Sequence, residues 1–199
     1  MASKALSERA SWDWMAAHGD ELSFDLTCIN PAGVLGPHYL GALADKGKTL
    51  DLSNLNIGSR MLWYIADPTV GATPFNDYHM GCWVGVYDTA AALVAAVAEP
   101  AAGGKRFLCA QRCHWQLIRG AIRAAVPELR GRVGAEAVGA GAPDPEATYD
   151  IDGSEVTKVL GIKYTSLEDA MKDTFAQFLE AESELWRLED YQYKVRKTG

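Results

Sequence analysis

At 199 residues, with 48% apolar and 23% charged side chains, the chain is long enough for one sizeable core or for a large and a small lobe. A net charge of −7 argues against nucleic acid and anionic membrane as partners. No run approaches the roughly 18 consecutive apolar residues of a membrane span, and the polar start does not read as a signal peptide.

Taken in order, Ser3 to His18 reads as a helix, with Ser3 as its cap, Leu6, Ala10, Trp14 and Ala17 on one face, and Gly19 closing it. Leu22 to Ile29 is an apolar run of strand length. Pro31, Gly33 and Gly36-Pro37 then predict a loop. Leu52 to Ile65 is helical in pattern, with Leu55, Ser59, Leu62 and Ile65 or Ala66 on one side, and 67–78 is a loop. Gly81 to Tyr87 reads as a strand, and Asp88 as the cap of an Ala/Val-rich helix from Thr89 to Ala98 that Pro100 and Gly103-Gly104 stop. Arg106 to Ala110 is a second buried-type strand, and Trp115 to Val126 a helix ended by Pro127.

The Gly/Ala/Pro stretch from Gly134 to Ala147 reads as a mobile loop, and Val156 to Leu160 as a short helical turn. Ser166 caps a terminal helix to about Leu188, with Asp169 at the reciprocal position and Leu167, Met171, Phe175, Phe178, Leu179 and Leu185 on its apolar face. The tail 187–199 is expected to fray. Cys28, Cys82, Cys109 and Cys113 lack paired metal spacing and read as free thiols of a reducing, cytoplasmic compartment. His18, His79 and His114 are isolated, so no metal site is expected.

Helices alternating with strands make an α/β protein, but only 22–29 and 106–110 read as central parallel strands. A doubly wound sheet usually has about six.

Several pieces stand in an informative order: Ser3-Lys4 at a helix start, Ile29-Asn30-Pro31-Ala32-Gly33-Val34-Leu35-Gly36-Pro37 after a strand, and Asp88 after the next strand. Gly104-Lys105-Arg106-Phe107-Leu108, Trp115-x-x-Ile118, and Val159-Leu160-Gly161-Ile162 followed by Ser166-Leu167 complete the series. This order resembles the C-terminal half of an extended short-chain dehydrogenase/reductase, of the NAD-dependent epimerase/dehydratase type. The likeness points to the branch of dihydroflavonol reductases and yeast methylglyoxal/aldehyde reductases.

The resemblance implies an incomplete Rossmann-like doubly wound sheet, last strands only, plus a small C-terminal substrate-binding lobe. Residues 1–50 and 83–110 would be the sheet remnant and 51–82 and 111–199 the lobe, the N-terminal dinucleotide-binding part being absent. Lys4 would be catalytic, binding nicotinamide-ribose hydroxyls and lowering the pKa of a tyrosine four residues earlier, a position just ahead of Met1. Pro31, Ala32, Gly33 and Val34 would lie against the nicotinamide of NADP(H) or NAD(H). His38 and Tyr39 would face a small carbonyl substrate.

The departures bear on the cofactor. No Gly-x-Gly-x-x-Gly follows a strand, so the diphosphate lacks its cradle. The family's ribose-selecting residue and catalytic Ser/Thr are missing, and a Val-Asp-Val-Arg-Asp-Val-like stretch is replaced by Trp83-Val84-Gly85-Val86-Tyr87-Asp88-Thr89. The chain alone is therefore expected not to bind the dinucleotide. The leading reading is a truncated carbonyl reductase of secondary metabolism. One alternative is a cofactor-free isomerase, cyclase or dehydratase using His38, Tyr39, Trp83 and Tyr87. The other is a non-catalytic protein that dimerises or pairs with a full-length homologue through helix 3–18.

Overall fold

A computed structural model describes residues 2–38, 52, 55–66, 81–134 and 150–187, the last four by backbone alone. The predicted loops at 67–78 and 135–147, Tyr39, His79, the Leu185 side chain and the tail from 188 fall outside the described residues. The chain divides into two compact units, 1–34 with 79–114 and 143–165, and 35–78 with 115–142 and 166–199.

The first unit carries the strands. Helix α1 (Ala2–His18) leads through a 3-10 turn (Gly19–Glu21) to β1 (Cys28–Pro31) and β2 (Gly33–Leu35, its last residue opening the second unit). After β3 (Cys82–Gly85) come α3 (Val86–Ala98), β4 (Arg106–Cys109), β5 (Gln111–Arg112) and α5 (Ser154–Leu160). β1 runs parallel to β4, with Cys28 opposite Arg106 and Pro31 opposite Cys109. A second sheet has the order β2-β3-β5, with β3 and β5 antiparallel. Val84, Ala92, Ala102, Phe107, Cys109, Val156 and Leu160 form one buried cluster that holds α3 and α5 against β4. Gly161, at φ 70°, ends α5 in the left-handed conformation that glycine adopts without steric cost.

Several expectations need correction here. Ser3 lies inside α1, which begins at Ala2, and Gly19 enters the 3-10 turn without a left-handed cap. Residues 22–27 form no strand, because this segment bonds to the turn before β4 in place of a ladder. Thr27 Oγ1 donates to the Ala102 carbonyl at 2.8 Å, and Gly104 N–H donates to the Leu26 carbonyl at 3.0 Å. The loop after Pro31 contains the strand β2, and β5 follows β4 almost at once.

Asp88, finally, does not cap α3. It sits in the first turn, 5% exposed, and its carboxylate accepts from Thr165 N–H at 3.0 Å and Thr165 Oγ1 at 2.7 Å.

The second unit is helical: α2 (Ile57–Ala66), α4 (Trp115–Ala125) and α6 (Leu167–Arg187). α2 starts later than its pattern suggested because Asn56 Oδ1 accepts from Ser59 N–H at 3.0 Å and fixes the first turn there. Ser59, Leu62, Ile65 and Ala66 are buried as expected, and Trp63 joins them. α6 has the predicted cap, with Ser166 Oγ accepting from Asp169 N–H at 3.1 Å and donating to Asp169 Oδ2 at 2.7 Å. Met171, Phe175 and Phe178 are fully buried, whereas Leu167 and Leu179 are half-buried and Ala170, Thr174 and Ala181 take the remaining core positions. Phe178 meets Trp63 edge-on at 5.6 Å and Phe175 at 5.2 Å. Arg132 lies over Trp63 and makes a bidentate pair with Glu182 at 2.7 and 3.0 Å.

Candidate functional site

Each unit holds part of the predicted site. In the first, α1 is tied to the parallel sheet by Glu8, whose carboxylate accepts from Arg106 Nε at 2.8 Å and Nη2 at 3.2 Å, and more loosely from Asn30 Nδ2 and Trp12 Nε1. Those bonds hold the Glu8 carboxyl down at about 2. Asn30 lies on β1, immediately before Pro31. Lys4 lies one helical turn before Glu8, hence on the same face of α1. It is exposed and makes no ion pair among the described residues. Pro31, Gly33 and Val34 are exposed and Ala32 is half-buried, its N–H donating to the Cys109 carbonyl at 3.1 Å. This turn stands at the carboxyl end of a parallel strand, where open α/β sheets bind ligands.

In the second unit, His38 follows the Gly36-Pro37 turn, half-buried, with Nε2 2.8 Å from Ser59 Oγ. Burial pushes its imidazole pKa down from 6.5, which favours the neutral ring. Ser59 and Gln177, both hydrogen-bonded to His38, were not legible as site residues, since each reads as an ordinary helical position. Trp83 and Tyr87 do not serve the cofactor-free alternative as a pair: Trp83 is 2% exposed in the core and Tyr87 is 62% exposed on α3. No cluster of three or more His, Cys, Asp or Glu suited to a metal occurs among the described residues. The thiols of Cys109 and Cys113 are buried and shifted up by that burial, Cys113 to about 12.

A curated relative, the ketoreductase azaE of Aspergillus niger, is 36% identical over 90% of this chain and 50% of its own length. The NADPH-dependent methylglyoxal reductase GRE2 of Saccharomyces cerevisiae is 26% identical over 92% of this chain and 51% of its own. Among solved structures, the yeast methylglyoxal/isovaleraldehyde reductase Gre2 complexed with NADPH superposes with a TM-score of 0.72 at 24% identity, covering 92% of this chain and 51% of that one. Gre2 from Candida albicans does so with a TM-score of 0.70 at 28% identity, covering 91% and 52%. This chain is similar to one half of these reductases. It spans about half the length of the curated relatives it matches, and the fold is the expected α/β arrangement with a partial parallel sheet. No protein-family model matches it. No described helix is long and apolar enough to cross a membrane.

Two places bear on how a dinucleotide would meet the described residues. The Lys4 ammonium is exposed and can meet hydroxyls, and Pro31, Gly33 and Val34 are exposed beside the end of β1. The strand-to-helix turn between β3 and α3 carries an acidic side chain at its opening. A Cβ at Gly85 would stand 2.7 Å from Asp88 Oδ2, so a carboxylate occupies that space and would repel an incoming anion.

Proposed function

We propose that the chain is the substrate-side half of an NADP(H)- or NAD(H)-dependent carbonyl reductase, a family of hydride-transfer enzymes acting on small ketones or aldehydes, and that it does not bind the dinucleotide alone. The observation that carries this reading is the end of β1, where Pro31, Gly33 and Val34 are exposed, in a chain 36% identical to a ketoreductase. A reduced nicotinamide, when bound, supplies the hydride. Lys4 holds ribose hydroxyls and, as a cation one turn from a tyrosine, lowers that phenol's pKa towards neutrality. Residues 31–34 offer main-chain groups to the carboxamide, and His38, with Tyr39, binds the carbonyl substrate. A cytoplasmic setting and self-pairing through helix 3–18 belong to the same reading; α1 buries no side chain, and Trp14 and Leu6 stand 48% and 62% exposed.

The test joins this chain to the nucleotide-binding half of the Aspergillus ketoreductase. Calorimetry should find NADPH binding no tighter than roughly millimolar for the chain alone and about micromolar for the fusion. The fusion should consume NADPH with a small ketone or aldehyde, and should lose turnover on Lys4→Ala. A folded fusion that binds NADPH yet reduces no carbonyl compound would sink the reading. Micromolar binding by the chain alone would overturn the half-site.

A further inference from the structure

His38 is fixed at three points, all within the second unit. The Gln177 carboxamide on α6 takes both of its main-chain groups: Oε1 accepts from His38 N–H at 2.8 Å, and Nε2 donates to the His38 carbonyl at 3.0 Å. The ring is fixed separately by Ser59 on α2, Oγ to Nε2 at 2.8 Å. Ser59 is 6% exposed, so its hydroxyl is out of reach of a substrate and acts on the imidazole.

The direction of the ring bond follows from donor counting. A buried hydroxyl must place its hydrogen on an acceptor, and among the described residues the Ser59 hydroxyl has one partner, His38 Nε2. The hydroxyl therefore donates, Nε2 accepts, and the ring's own hydrogen resides on Nδ1. Nδ1 makes no hydrogen bond to a described residue.

We propose that Ser59 and Gln177 are positioning residues that lock His38 into the Nδ1–H form and aim that N–H at the carbonyl oxygen of the substrate. This inference rests on the reductase reading for the substrate's chemistry, and on the local geometry alone for the tautomer. A carbonyl oxygen is a pure acceptor, so a site that orients it needs a fixed donor that does not itself carry charge away from water.

Nitrogen-15 correlation spectra of the full chain read the tautomer directly, the His38 signals being assigned by their loss in His38→Gln. The wild type should show the Nδ1–H form. Ser59→Ala should shift it towards Nε2–H, and Ser59→Thr, which keeps a hydroxyl, should restore it. Gln177→Glu keeps the acceptor for His38 N–H and loses the donor, so the tautomer should persist while the ring signals broaden.

Titration with acetophenone as the carbonyl probe supplies the second readout. It should move the His38 Nδ1–H signal, with a dissociation constant about tenfold weaker in Ser59→Ala, the worth of one hydrogen bond. An Nε2–H ring in the wild type overturns the proposal whatever the enzyme's reaction is. The correct tautomer with no response to the ketone overturns the role towards substrate, while the NADPH experiment on the fusion still decides the reductase reading separately.

Discussion

Gly85 offers a quantitative test of how β3 hands over to α3. Its backbone, φ −68° and ψ 143°, is one that alanine adopts freely, so Gly85→Ala carries no conformational strain. The cost is steric: the new Cβ would stand 2.7 Å from Asp88 Oδ2 and 3.2 Å from its carboxyl carbon. The carboxylate must rotate away, and in doing so it releases Thr165 N–H and Thr165 Oγ1, the bonds that join α3 to the segment before α6. Hydrogen bonds to a charged group contribute about 1.5–3 kcal/mol each, and one partner here is a backbone N–H that would be left unpaired. Gly85→Ala should therefore destabilise by about 2–3 kcal/mol, and Asp88→Ala by about 2–4 kcal/mol. Once Asp88 is gone nothing opposes the Cβ, so adding Gly85→Ala should cost under about 0.5 kcal/mol more. Urea unfolding of the wild type, both single variants and the double variant closes the cycle. Equal cost for Gly85→Ala with and without Asp88 would refute the argument.

Other outcomes follow from the packing and the titrating groups. The Glu8 carboxyl is held at about 2, below its usual 4.5, so its contribution to stability is complete above pH 4.5 and disappears as the pH falls through 2. Glu8→Gln should flatten this acid limb in pH-dependent unfolding, at a cost near neutrality of only about 0.5–1 kcal/mol because Arg106 is 65% exposed. Phe175→Ala empties a fully buried position and should cost about 3–5 kcal/mol in denaturant midpoint, most of it as cavity. Tyr164 bridges Ala110 N–H at 3.2 Å and the Gly153 carbonyl at 3.0 Å, and burial pushes its phenol up to about 12. Its stabilising effect is therefore full below pH 10 and lost as the pH rises through 12. Tyr164→Phe should cost about 1–3 kcal/mol and speed amide exchange at Ala110.

Local rules made much of the fold legible. The Ser166–Asp169 capping pair, Pro127 after α4, and the buried spacing of Met171, Phe175 and Phe178 are short-range signals, and the helices they mark are present. Where the structure departs from the local pattern, the deciding partner is remote. Asp88 looked like a cap because its real partner, Thr165, is 77 residues away. Leu22 to Ile29 looked like a long strand because nothing local shows that Thr27 and Leu26 are taken by the turn before β4. In the candidate site, the turn at 31–34 and His38 were visible through their motif. Ser59 and Gln177 were not, since their hydrogen bonds to His38 join residues 21 and 139 positions apart.

The parallel pairing of β1 with β4 also bears on the order of folding. Its first tie, Thr27 to Ala102, spans 75 residues, so closing it is entropically slow compared with the formation of α1 or α6. During synthesis β1 emerges well before its neighbour, and it cannot be satisfied until the chain has passed Cys109. The Pro100–Ala102 turn and Gly104, which bring the two strand starts together, are accordingly where a substitution should slow folding more than it hastens unfolding.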